Sequence, residues 1–266
     1  MELISSRQNP RVQALARLLR EKQARTEAGR FVIEGARECA RALAAGVKPH
    51  EYFICPALFR EGDDTALLET LGHSEATGFE LSQSAFEKAS GRQGPDGFLM
   101  TTPLLECSLE NLKQSKENPL FLVLENIEKP GNLGALLRSA DAAGVDAVIC
   151  CGQTIDIHNP NVVRNSQGAL FSVKIACATN EEAAAFLEKH NALILQTTPA
   201  AEKLYWDAPM KNTCALLLGS EKDGLSDFWL NKTGTSIRIP MHGGADSLNV
   251  SVAAAIVLFE AVRQRG

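Results

Sequence analysis

The chain has 266 residues, 45% of them apolar, and a formal charge of −5 at neutral pH, which is long enough for one large or two medium domains with a sizeable core. No apolar run reaches the length of a membrane span, and the first ten residues lack the basic region and hydrophobic stretch of a secretory signal, so the expected compartment is the cytoplasm. Seven cysteines, an odd number without a C-x-x-C pair, argue against both a disulfide framework and a zinc site; no metal is expected, and most cysteines read as small core residues.

The charge is unevenly spread. Between Arg7 and Lys48 there are ten basic residues against Glu21, Glu27, Glu34 and Glu38, so the acidity belongs to the rest of the chain. A basic segment on an acidic protein suits contact with phosphates, although an Arg-rich helix can equally be a solvated face.

In chain order, the spacing of Val12, Leu15, Leu18 and Leu19 after Pro10 predicts an amphipathic helix over 9–22. A short strand follows over 29–35, then a helix over 36–45 stopped by Gly46. Strands are expected at 51–55, 79–81 and 98–101, with helices at 67–71 and 85–89, the latter capped by Ser82. Residues 91–97, rich in glycine, read as loop with no assigned chemistry. The polar stretch 108–118 is the expected linker, which divides the chain into an N-terminal domain, 1–107, and a C-terminal domain, 119–266.

From Leu120 onward, apolar strands alternate with helices. Strands are expected at 120–124, 147–151, 170–175, 192–196, 214–218 and 236–239, and helices at 132–143, 161–166 (a single turn), 181–189 and 250–262. This is the signature of an α/β fold with a mostly parallel sheet covered on both faces. The last helix is apolar almost all round and should be buried on most sides. It is preceded by a Gly-containing loop that places Ser247, Asn249 and Ser251 at the helix start, a ready small-molecule site.

Three stretches carry chemistry. Asn132-Leu-Gly-Ala-Leu-Leu-Arg-Ser-Ala-Asp-Ala-Ala-Gly-Val145, Leu217-Leu-Gly-Ser-Glu-Lys-Asp-Gly-Leu-Ser226, and Ile239-Pro-Met followed by Ser247-Leu-Asn-Val-Ser-Val-Ala253 stand in that order. Together they resemble motifs 1, 2 and 3 of the SpoU-type (TrmH-like) RNA ribose methyltransferases of the SPOUT superfamily. The N-terminal pattern, Ser-x-x-Asn-Pro, a basic helix and Arg30-x-Phe-x-x-Glu-Gly35, is similar to the ribosomal-protein-like substrate-binding domain that often precedes that catalytic domain.

The resemblance implies a trefoil-knotted C-terminal domain that dimerises through the knot region, S-adenosylmethionine as cofactor, and methyl transfer to a ribose 2′-hydroxyl. Ribosomal RNA is the favoured substrate; transfer RNA and a non-catalytic RNA-binding relative are the alternatives. It maps catalytic roles onto Asn132, Arg138, Glu221, Ser247 and Asn249. Cofactor contacts fall to Leu218, Gly219, Glu221, Gly224, Ile239, Pro240, Met241, Ser247 and Leu248. RNA contacts fall to Arg7, Arg11, Arg20, Arg25, Arg30 and Arg164.

Asn132 is expected at a helix N-cap, and Arg138, flanked by Leu137 and Ser139, half-buried and directed; Glu221 is read as accepting from a ribose or holding Arg138. His242 and His158 are not read as bases. The G-x-G-x-x-G of nicotinamide enzymes, the phosphate loop of NTPases and the G-x-S-x-G of serine hydrolases are all missing.

Overall fold

The computed structural model describes residues 1–60, 64–112, 116–152 and 156–266. Part of the expected linker, 113–115, lies outside the described residues. The chain forms two compact units, Met1–Leu105 with Asp156–Phe171 and Glu106–Ile155 with Ser172–Gly266. Residues 156–171 thus group with the first unit although they fall within the span 119–266.

The first unit begins with β1 (Glu2–Ile4), too short for any sequence pattern to reveal. α1 (Pro10–Arg20) is capped by the Asn9 side chain, which accepts from the Arg11 N–H at 2.9 Å, and Pro10 sits in its first turn. The single helix expected over 9–22 is in fact two: Glu21 adopts an extended conformation, and α2 (Lys22–Ala28) follows until Gly29 turns left-handed. β2 (Arg30–Glu34), α3 (Ala36–Ala44), β3 (Glu51–Ile54), α4 (Asp64–Gly72), β4 (Thr77–Leu81), α5 (Gln83–Ala89) and β5 (Phe98–Pro103) complete this part of the chain. Ser82 caps α5 as expected, accepting from the Ala85 N–H. The sheet is mixed, in order β1-β4-β3-β5-β2, with β5 antiparallel to both neighbours. Its core joins Val12, Leu15 and Leu19 of α1 to Phe53, Phe79, Leu81 and Phe86.

The second unit opens with β6 (Leu120–Glu125), α6 (Pro130–Ala142) and β7 (Ala147–Cys151). α7 (Pro160–Ser166), in the first unit, ends where Gln167 and Gly168 take positive φ. The strand expected over 170–175 is then a helical turn, α8 (Ala169–Ser172), and the strand begins later, as β8 (Ile175–Ala178). Ala-Leu-Phe is a short apolar run, and such runs do not distinguish strand from buried helix. α9 (Asn180–Lys189), β9 (Leu193–Thr197), β10 (Lys203–Leu204), β11 (Cys214–Leu218), α10 (Asp227–Leu230), β12 (Thr235–Arg238) and α11 (Val250–Arg265) follow.

All seven strands of this sheet are parallel, in order β10-β12-β9-β11-β6-β7-β8. β11 and β6 lie at its centre and are buried throughout, which is why they read as unbroken apolar runs. α11 packs on α6 and β11. It is not buried on most sides: Val252 and Phe259 are 47% and 50% exposed, because its other face meets solvent.

A buried carboxylate fastens the strand ends. Glu125, at the end of β6, accepts from the Asn180 side chain at 2.7 Å, the Ser226 N–H at 2.7 Å and the Ser226 hydroxyl at 2.6 Å. Asn180 in turn accepts from the Trp229 indole at 3.2 Å. Hydrogen bonds to a charged group contribute roughly 1.5–3 kcal/mol each, so this cluster fixes the turn after β11 against β6.

In the first unit His158 accepts from the Leu105 N–H at 2.9 Å through Nε2 and packs on the Phe31 ring. Burial, aided by Arg25 and opposed by Asp156, lowers its pKa to about 4. The unfolded chain, with an ordinary value near 6.5, therefore takes up the proton first as pH falls. Stability is expected to drop between about pH 6.5 and pH 4, and His158→Gln, which keeps an acceptor and does not titrate, should flatten that part of the curve. Urea midpoints measured across this range check it; equal slopes in both proteins would contradict the assignment.

Candidate active site

The carboxyl ends of β9, β11 and β12 open onto a cavity of about 440 Å³. In open parallel sheets ligands bind at this edge, where strand order reverses, and the volume is that of a small-molecule or cofactor site. Leu218, Gly219, Glu221 and Gly224 line it from the β11 side, Ile239 and Met241 from the β12 side, and Ser247 and Leu248 from the segment before α11. Thr197, at the end of β9, and Thr198 and Pro199, which follow it, add to the wall, together with Leu225, Val250 and Ala253. The sequence reading missed these; the end of a strand beside β11 was the signal that could have found them. Pro240 is half-buried but not part of the wall.

The turn after β11 is rigid for a local reason. Ser220 and Gly224 exchange both backbone hydrogen bonds, at 3.0 and 3.1 Å, and the Ser220 hydroxyl accepts from the Asp223 N–H at 2.9 Å. Gly224 has φ +70°, and a Cβ on Gly219 would overlap the Gly224 carbonyl. Only glycine lets the two backbone segments pass this closely.

Three segments distant in sequence meet at Glu221, beside the cavity. The Asn132 amide donates to Glu221 Oε1, and Asn132 Oδ1 accepts from Asn249 Nδ2 at 3.2 Å. Asn249 is the N-cap of α11, where its Oδ1 takes the Ser251 N–H and hydroxyl at 2.9 and 2.6 Å. Both functional ends of the Asn132 amide are used, which settles its orientation. Asn132 is not the N-cap of α6: that is Lys129, because Pro130, with its fixed φ and no N–H, takes the first helical position.

Glu221 does not hold Arg138. Its Oε1 is taken by Asn132, and its Oε2 is buried with no protein partner. A buried carboxylate oxygen left without a partner is uncommon and points to a donor that the described protein atoms do not supply. Arg138 is exposed rather than half-buried, and among the described residues it makes no hydrogen bond or ion pair. A helix puts it on a different face from Leu136, Leu137 and Ala140, which fill the core. Ser247 joins the cavity wall, and His242 is exposed in the loop.

The basic residues expected to meet RNA lie in the first unit and differ among themselves. Arg7, Arg11 and Arg20 are exposed and Arg30 is half-buried. Arg25 does not join them: it is 3% exposed, pairs with Asp156 and donates to the Leu18 carbonyl, so it serves the interior. Arg164 lies 3.7 Å from Glu34. Five of the seven cysteines are buried, and no group able to hold a metal occurs among the described residues. No helix among them is long and apolar enough to cross a membrane.

Residues 119–259 match the SpoU rRNA Methylase family, and residues 9–100 the MRM3-like substrate binding domain. The chain is 28% identical over 265 residues to the 23S rRNA (guanosine(2553)-2'-O)-methyltransferase RlmP of Bacillus subtilis, covering 97% of this chain and 98% of that one. A crystal structure of an RNA 2'-O ribose methyltransferase is 41% identical, covers 99% of both chains and superposes with a TM-score of 0.84. The AdoMet-bound rRNA methyltransferase from Sinorhizobium meliloti is 27% identical, covers 98% of this chain and 97% of its own, and has a TM-score of 0.88.

Gly219→Ala is expected to destabilise the protein by about 1–3 kcal/mol, the usual cost of forcing extra volume into a packed site. Urea denaturation compared with Gly243→Ala, at a position with open space around it, checks this; equal effects would contradict it.

Proposed function

The chain belongs to the SpoU rRNA methylase family, and on that premise we propose that it transfers a methyl group from S-adenosylmethionine to a ribose 2′-hydroxyl of 23S ribosomal RNA in the cytoplasm. The observation that carries this is the cavity at the strand ends, with Glu221 on its wall held by Asn132, which in turn accepts from Asn249. The partnerless Glu221 Oε2, the apolar Leu218, Ile239, Met241 and Leu248, and the close backbone passage at Gly219 and Gly224 suit a cofactor with one flat apolar end and several polar donors. When bound, that cofactor supplies an electrophilic methyl on a sulfonium.

The protein's own task is to present the hydroxyl and ease the loss of its proton. Arg138 carries an unpaired guanidinium at the surface of α6, free to take a phosphate and polarise the adjacent hydroxyl. A guanidinium does not give up its proton near neutrality, so Arg138 acts as an electrostatic clamp and not as a base. Asn132, Glu221, Ser247 and Asn249 orient the reactants, and holding two groups in place can lower a barrier by roughly 7–11 kcal/mol in favourable cases. Within the first unit, part of the 1–107 domain, exposed Arg7, Arg11 and Arg20 supply charge for the RNA backbone.

We also propose a homodimer. Val252 and Phe259 stand seven residues apart on α11, hence on one face, and an exposed apolar stripe of this kind suits a second copy of the chain.

Mapping of labelled methyl groups on total RNA from cells lacking and expressing the protein tests the activity, with a single new 2′-O-methyl site in 23S RNA as the expected result. Arg138→Lys should keep cofactor affinity in calorimetry and lower kcat/KM at least tenfold, because an ammonium lacks the planar two-pronged donor. Near-full activity in that variant would refute the clamp. For the dimer, light scattering should give twice the chain mass for the wild type and one chain mass for Phe259→Glu; a monomeric wild type rules it out.

A further inference from the structure

The first unit holds a cavity of its own, of about 390 Å³, walled by α1, α2 and strands β2, β3 and β5. Its floor is apolar, built from buried Leu15, Leu18 and Phe53. It stays open because the helices present only methyl groups at exposed Ala14 and Ala28, where a longer side chain would fill the space. Arg11, Arg17 and Arg30 also line it, and the Arg11 guanidinium lies flat against the sheet, 4.5 Å from the centre of the Phe79 ring.

Two carboxylates line the cavity as well: Glu27 is engaged by Gln23 and Arg17, and Glu51 is the one that stands out. Its carboxylate is only 23% exposed, and its nearest cation, Arg11, is 3.4 Å away, too far for a good hydrogen bond. Among the described residues no other side chain or N–H bonds to it, so both its oxygens retain acceptor capacity.

We infer that this cavity receives an unstacked guanine of the RNA substrate, an inference that rests on the methyltransferase reading. Guanine alone among the four bases offers two adjacent donors, N1–H and the N2 amine, on its pairing edge, and these match the two oxygens of one carboxylate. Adenine, cytosine and uracil would each set an acceptor against one of those oxygens. The apolar floor takes the ring, as protein pockets take bases splayed out of single strands, while Arg30 meets a flanking phosphate. The site thus reads one nucleotide of the RNA through the N-terminal unit.

Fluorescence polarisation with the full chain and short single-stranded RNAs tests it, using oligouridine with one central guanosine, the same with inosine, and oligouridine alone. Guanosine should bind about tenfold tighter than inosine, which lacks the N2 amine, the equivalent of 1.4 kcal/mol for one lost hydrogen bond. Ala14→Trp, which fills the mouth from an exposed helix position, and Glu51→Gln should each bring the guanosine RNA to the level of oligouridine. Equal binding of the three RNAs by the wild type, or an undiminished guanosine preference in both variants, overturns the inference. Methyl incorporation into ribosomal RNA by the wild type is measured alongside: its absence would remove the methyltransferase reading, while the guanine pocket would stand or fall on polarisation alone.

Discussion

One side-chain amide ties the site together. Asn132 on α6 donates to Glu221, from the turn after β11, and accepts from Asn249, at the start of α11. Its two partners lie 89 and 117 positions away from Asn132, so nothing local holds the three in register. The hydrogen bonds are what tie the three segments to one another at this point. The amide is also suited to the place chemically: it donates from one end and accepts at the other, and so it can join a carboxylate to a second amide without a net charge.

Behind that contact the sheet supplies a fixed base. Glu125 and Gln196 are buried polar residues on β6 and β9, and each is occupied by groups from the stretch that follows β11. Gln196 donates to the Trp229 and Lys232 carbonyls at 2.6 and 3.1 Å and accepts from the Ser236 hydroxyl at 2.8 Å. The turn bearing Glu221 is therefore clamped on both sides of β11 while its own backbone pairs Ser220 with Gly224. Glu221 is thus held beside the cavity by Asn132 and by a turn whose backbone is paired at both ends.

Much of this was legible in the sequence, for reasons that can be traced. β6 and β11 are buried on both faces, so their residues form apolar runs that stand out; the three motifs keep their order; and Asn9 and Ser82 announce helix starts by their side-chain chemistry. What escaped was set by tertiary contact or by brevity. β1, β10 and α10 are too short to show periodicity. Glu21 breaks α1 from α2 without any breaker residue, and Arg25 is indistinguishable in sequence from Arg20 until Asp156 arrives from 131 positions away. With Pro130 in the first helical position the cap falls on Lys129, three positions before Asn132, whose amide therefore meets Glu221 rather than the helix backbone.

The cavity has one rigid wall and one that the protein does not secure. On the β11 side the glycine crossing and the paired turn fix the backbone. On the other side residues 242–249 are exposed, and Gly243 and Gly244 have open space around them; the segment is tied down only at β12 and at the Asn249 cap. The cavity thus pairs a turn whose backbone the protein fixes by its own hydrogen bonds with a segment left to solvent. Ser247 and Leu248 reach the wall from between two anchored points, β12 and the Asn249 cap.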